Sequence, residues 1–257
     1  MDWRAMAVAA AVVLAGCGAL GGAGTGADER GQSDATPTLT PVSVPEVTEQ
    51  PVTLPSGLTG ERVTDTVALV DAHFAALSGR SYTLRIRVTV DDARSERLFR
   101  VETPTRYYRA DRLDDGGPDR THFADGEYLY TRNEFDGQRY YGRFDDVDPP
   151  STRTVRLSRA YLRVDEVRVA ETRVDGDPAY ELTGSYPVHP EIESFRNVSL
   201  RAVIEPSGLI RTLNISYYRV TDGSNVTRSF AYSDLDSTIV ERPVWVDEQW
   251  NGTTTPE

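Results

Sequence analysis

The chain has 257 residues, 39% hydrophobic and 26% charged, enough for one ordinary soluble domain plus an appendage and too polar for a multispan membrane protein. Forty acidic residues stand against twenty-eight basic ones, every one of them arginine, for a net charge of −12. Such a surface repels nucleic-acid phosphates and so argues against a nucleic-acid partner, while it stays hydrated in the strong salt of a halophile's habitat.

Residues 1–16 read as an export signal. Arg4 precedes an apolar run from Ala5 to Leu14, about ten residues, too short to span a bilayer and the right length for a signal-peptide core. The run ends in Leu14-Ala15-Gly16-Cys17, with small residues before the sole cysteine of the chain. That pattern resembles the lipobox of prokaryotic lipoproteins, which implies cleavage between Gly16 and Cys17 and a membrane lipid attached through Cys17. Residues 17–58 then form a tether: Gly, Thr, Pro and Ser fill about half of it, with no helical or strand period.

The folded domain is expected over 59–247, with 248–257 as a flexible tail. Val63, Val67, Val70, Phe74 and Leu77 recur at steps of four and three, which predicts one long N-terminal helix ended by Ser78-Gly79. The period then switches to two, and Tyr82, Leu84, Ile86, Val88 and Val90 predict a half-buried strand. Further strands are expected at 96–102, 105–111, 119–124, 127–133, 138–144, 165–174, 179–186, 197–205, 209–220 and 225–233, separated by Asp-Gly or Ser-Gly turns. Arg153 to Val164 reads as a short helix or a further extended stretch, and His189 to Phe195 as a helical turn. The fold class is mainly β (α+β), a curved sequentially paired antiparallel sheet wrapped on the helix, because neither apolar surface can bury itself alone.

The Cys17 leader and tether, the opening helix, the strand Ser81 to Val90 and the late Pro243-Val244-Trp245 together resemble the LolA/LppX-type lipoprotein superfamily, most of all a haloarchaeal surface-lipoprotein branch of it. The resemblance covers about residues 59–247. It implies a half-barrel whose helix lies on the concave side beside an apolar cavity for a hydrophobic or lipid ligand. Val63, Val67, Val70, Phe74, Leu77, Leu84, Ile86 and Val88 are the candidates to line it.

Motifs for chemistry are missing: no metalloprotease, nucleophile-elbow or phosphate-loop pattern, no second cysteine, and hence no cofactor or metal assignment and no expectation of an enzyme. His73, His122 and His189 read as packing or surface residues. The carboxylates Asp111, Asp114, Asp115 and Asp119, and Asp145, Asp146 and Asp148, match no calcium-loop spacing and read as hydration surface. Tyr107-Tyr108, Tyr140-Tyr141 and Tyr217-Tyr218 each put one ring on either side of a strand. Asn197, Asn214, Asn225 and Asn251 open sequons, the first three with the Asn and Ser/Thr on one strand face. Two functions remain, a lipid-anchored surface protein that binds a hydrophobic ligand, and a surface interaction or envelope-structural module without one.

Overall fold

The structure, a computed structural model, describes residues 54–113, 119–147, 161–162, 167–189 and 192–250. The signal, Cys17, most of the tether, Asp114, Asp115, Asp148, the Arg153 to Val164 stretch apart from Tyr161 and Leu162, and Asn251 lie outside the described residues.

Helix α1 (Thr66–Leu77) is followed by eleven strands: β1 (Tyr82–Val90), β2 (Ala93–Thr103), β3 (Arg106–Leu113), β4 (Asp119–Asp125), β5 (Leu129–Phe135), β6 (Gln138–Phe144), β7 (Arg168–Val174), β8 (Asp177–Val188), β9 (Phe195–Ile204), β10 (Ile210–Arg219) and β11 (Ser224–Ser233). A short helix, α2 (Val244–Trp250), closes the described chain. Each strand among the described residues overlaps one expected from alternation or from the turn residues. All eleven join one antiparallel sheet in the order β6-β5-β4-β3-β2-β1-β11-β10-β9-β8-β7. Two sequential meanders therefore meet at the long-range β1–β11 pair, and β6 and β7 are left as the two edges. The sheet is curved and unclosed, in keeping with the expected half-barrel.

Turn chemistry fixes the hairpins. At Asp136-Gly137 and Asp175-Gly176 both residues hold positive φ (50° and 74°, 54° and 94°), the backbone that a two-residue hairpin turn needs. Gly208 (φ 90°) has a second duty in the β9–β10 turn, since a Cβ there would meet the Ala72 Cβ of α1 at 2.5 Å. The helix thus rests on that turn.

The opening helix is shorter than the sequence pattern predicts. Asp65 caps it, its Oδ1 accepting the N–H groups of Val67 and Ala68 at 2.9 and 3.0 Å, so Val63 stands outside and pairs as an isolated bridge with Leu58. The buried stripe is also rotated by about 60°, at the helix's 100° per residue: it consists of Leu69, Val70, His73 and Leu77, while Val67 is 43% exposed. The cause is a polar obligation. The register of β10 slips between Ile210 and Thr212, and the buried Ile210 N–H finds its acceptor in His73 Nδ1 at 3.2 Å. Because a backbone N–H can only donate, the neutral His73 ring carries its proton on Nε2, which faces Tyr232 Oη at 3.3 Å. Burial pushes the His73 pKa down to about 4, so the ring stays neutral.

Two cores sit on opposite faces of the sheet. The larger joins α1 and the paired residues Tyr161 and Leu162, both helical, to the inward positions of β1, β2 and β8–β11. The smaller lies on the outer face, where Phe123 of β4 and Tyr130 of β5 are covered by Val240, Trp245 and Val246. The chain after β11 reaches it by crossing the outer face: the Val240 N–H donates to Glu102 Oε2 at 3.0 Å, and Arg106 Nη2 donates to the Val240 carbonyl at 2.9 Å. Arg242 then pairs with Asp125 and Asp247 and lies 5.1 Å from the Tyr130 ring centroid. Helix α2 continues to Trp250, whose ring meets Tyr130 at 5.0 Å, so regular structure reaches three residues into the stretch expected as tail. Of the stretch expected as a helical turn, His189 and Ile192–Phe195 are described and hold no helix; the His189 N–H donates to the Phe195 carbonyl at 3.1 Å and the Ile192 N–H to His189 Nδ1 at 3.1 Å.

Candidate functional site

Strand register places one row of inward side chains across the whole sheet: Val169, Leu182, Ala202, Leu213, Phe230 and Ile86, then Arg97, Asp111, Arg120, Asn133 and Tyr140. The row is apolar from β7 to β1. It turns polar at β2 and stays so to β6.

At that change of character the inner face holds a cavity of about 230 Å³, lined by Ile86, Val88, Ser95, Glu96, Arg97, Asp111, Arg112, Leu113 and Arg120. Ile86, Val88 and Leu113 give it an apolar floor. Its volume is below the ~300–1,000 Å³ of pockets that swallow a drug-sized molecule, so it suits one end of a ligand or a length of chain.

The polar wall is organised by Asp111. Its carboxylate takes the Nε donors of Arg97 and Arg109, each at 2.8 Å, and a further donor from Arg109 Nη2. Arg109 and Asp111 are only 13% and 12% exposed, and the Arg109 guanidinium also lies 5.6 Å from the Phe99 ring centroid. Burial works to raise the Asp111 pKa, but the hydrogen bonds and charges of the two arginines outweigh it and hold the carboxyl below its ordinary value. One carboxylate thus fixes two cations. Arg120 is the cross-strand neighbour of Asp111, and Arg228 is that of Val88 on β11. Arg228 is engaged elsewhere: its guanidinium hydrogen-bonds the Tyr161 hydroxyl, although its buried Nε has no partner among the described residues.

Of the eight residues expected to line a cavity, Ile86 and Val88 lie at this one. Leu84, Val70 and Leu77 are buried in the main core, Val63 and Phe74 pack partly against it, and Val67 faces solvent. Asp111, read from sequence as part of an acidic hydration surface, is instead the buried partner of two arginines. The arginines themselves were missed, although a signal exists: Arg97 is in phase with Phe99 and Val101, and Arg228 with Val226, Phe230 and Tyr232, so period two alone points them inward. Among the described residues no group of three or more His, Cys, Asp or Glu is placed to hold a metal ion.

The tyrosine pairs divide between the faces. Tyr107 and Tyr217 are buried inward, Tyr217 stacked at 3.7 Å on Phe195, whereas Tyr108 and Tyr141 border the outer core and Tyr218 faces solvent. Phe135, Tyr140 and Phe144 are 54%, 53% and 52% exposed along the β6 edge. Asn197, Asn214 and Asn225 are exposed, with the middle residues Val198, Ile215 and Val226 buried beneath them.

No protein-family model matches the chain. No curated protein matches it either. Among solved structures it is similar to a LolA superfamily protein from Nitrosomonas europaea, at 10% identity over 70% of this chain and 96% of that one, with a TM-score of 0.26. It is also similar to MucB, solved in complex with MucA(peri), at 17% identity over 67% of this chain and 56% of that one, with a TM-score of 0.27. Likenesses at this level leave the chemistry of the site to its own side chains.

Proposed function

We propose that the protein is a non-enzymatic binding module, held at the extracellular face of a halophile's cell membrane by a lipid on Cys17, which takes a hydrophobic or amphiphilic ligand on the inner face of its sheet. The supporting observation is the apolar-floored cavity of Ile86, Val88 and Leu113, sited where the inner face is no longer filled by core. An apolar lining that is not packed by the protein's own side chains is a surface on which a ligand gains the hydrophobic term. Val88→Trp is the direct test. It should fill the cavity and abolish co-purification of lipid, read by native mass spectrometry of protein taken from its own membrane, while the unfolding midpoint changes little. Wild-type protein that retains no lipid and binds no acyl probe would remove this reading.

The anchor is tested separately. Cys17→Ser should release the protein from the membrane fraction or block its processing, because a two-chain lipid anchor is what makes such attachment stable. Processed Cys17→Ser protein that still sediments with membranes would contradict it. The second reading, a surface interaction or envelope-structural module, is favoured by the exposed aromatics of β6, which has one side unpaired among the described residues. It predicts that Tyr140 and Phe144 variants, not Val88 variants, disturb the protein's role in the envelope.

A further inference from the structure

The charges around the inner-face cavity decide which class of ligand suits it, and the assignment rests on the cavity being a ligand site. In a chain with a net charge of −12, the inward positions around the cavity carry Arg97, Arg109, Arg120 and Arg228 against one carboxylate, Asp111. The other acid in the lining, Glu96, belongs to the outer phase of β2 and is held there by Arg87 at 2.8 Å and Arg85 at 3.7 Å. Arg112, the cross-strand partner of Glu96, adds a further cation at the rim. The described lining therefore has a local excess of positive charge on a protein that is acidic elsewhere.

We propose that Arg97 and Arg120 form an oxyanion site that holds the phosphate or carboxylate group of the ligand while its apolar part lies on Ile86, Val88 and Leu113. Two observations carry this assignment. Arg97 is pinned by Asp111 through Nε alone, which leaves both Nη groups without a partner among the described residues and fixes the plane in which they are offered. Arg120, on the far side of Asp111 in the row, has no ion-pair partner among the described residues, so two guanidinium groups from β2 and β4, the strands on either side of β3, flank one opening. The outer face offers a contrast: its broad groove is bordered by Arg85, Arg87 and Arg201, and all three are already paired to Glu96 or Glu181.

The test is calorimetric titration of the purified protein, at a fixed ionic strength at which it is folded, with dodecyl phosphate, dodecyl maltoside and inorganic phosphate, the surfactants kept below their micellar concentrations. The expected result is that dodecyl phosphate binds at least about tenfold more tightly than the uncharged maltoside, as a charge-assisted bidentate contact requires. Arg120→Gln, an exposed change that spares the Asp111 pair, should remove most of that preference, and Arg97→Gln/Arg120→Gln all of it. Val88→Trp should weaken both surfactants alike. Inorganic phosphate that binds as tightly as dodecyl phosphate, and is lost in the same variants, upholds the oxyanion site and assigns it to a free anion. Equal binding of the two surfactants, or a preference untouched by Arg120→Gln and by the double variant, overturns the site while leaving the hydrophobic-ligand reading in place. Binding of none of the three overturns both.

Discussion

The two halves of the sheet solve burial in opposite ways. From β8 through β11 to β1 the inner face, Arg228 apart, is mostly apolar and packs with α1, Tyr161 and Leu162, with the outer face given largely to Arg, Thr, Asn and Ser. From β3 to β6 much of the inner face is polar, and an apolar core has moved to the outer face, where Phe123 is fully buried beneath the crossing C-terminal chain. In a strand such an exchange needs only a shift of phase, since neighbouring side chains point to opposite faces. The half that is packed inward builds the domain. The half that is packed outward leaves its inner face available, and the cavity lies on the seam between them.

The sharpest break of this comparison is within the long inward row. Phe230, 3% exposed and set between Ile86 and Leu213, belongs to the filled half, so Phe230→Ala should cost about 3–5 kcal/mol of stability by urea or thermal unfolding. The outer core should yield somewhat less, because a segment laid over the outside of the sheet relaxes more easily than a sheet centre. Trp245→Ala should cost about 3 kcal/mol, and its effect should be regional. Amide exchange should quicken in β4 and β5 while β9 and β10 keep their protection; uniform loss of protection would mean that the two cores are one cooperative unit.

The buried His73 sharpens the comparison through pH. Its pKa falls from 6.5 in the unfolded chain to about 4 in the fold, so between those values the unfolded state binds the extra proton. The stability of the α1-covered half should therefore be intact above about pH 6.5 and decline as pH falls toward 4, by up to about 1.4 kcal/mol per pH unit. His73→Gln, whose amide oxygen can still accept the Ile210 N–H, should remove that part of the decline. An unchanged slope in the variant would assign the pH dependence to other groups.

Strands were legible because their signal is local: alternation from Tyr82 to Val90 and Asp-Gly turns with positive φ need no knowledge of the rest of the chain. The exact helix face was not, because His73 is drawn inward by a backbone N–H 137 residues away, an obligation no periodicity contains. Nor was the second core, since nothing near Trp245 announces that it will cover Phe123 and Tyr130. The candidate site was half legible. Ile86 and Val88 follow from alternation, and so does the inward phase of Arg97. That Arg97, Asp111 and Arg120 line up side by side depends on three strand registers at once.

Tyr140 is the smallest and most discriminating test. It stands in the same inward row as Phe230, five strands beyond Ile86, yet it is 53% exposed and its hydroxyl donates only to Gln138 Oε1 at 2.8 Å. A side chain in that state loses little on truncation, so Tyr140→Ala should change stability by less than about 0.5 kcal/mol. The same substitution at Phe230 removes a ring from a closed core, and the several-fold ratio between the two is the energetic form of the difference between the halves. A cost above about 1 kcal/mol for Tyr140→Ala in the isolated protein would mean that the inner face of β6 is covered. The polar half would then be a second interior rather than a surface open to ligand.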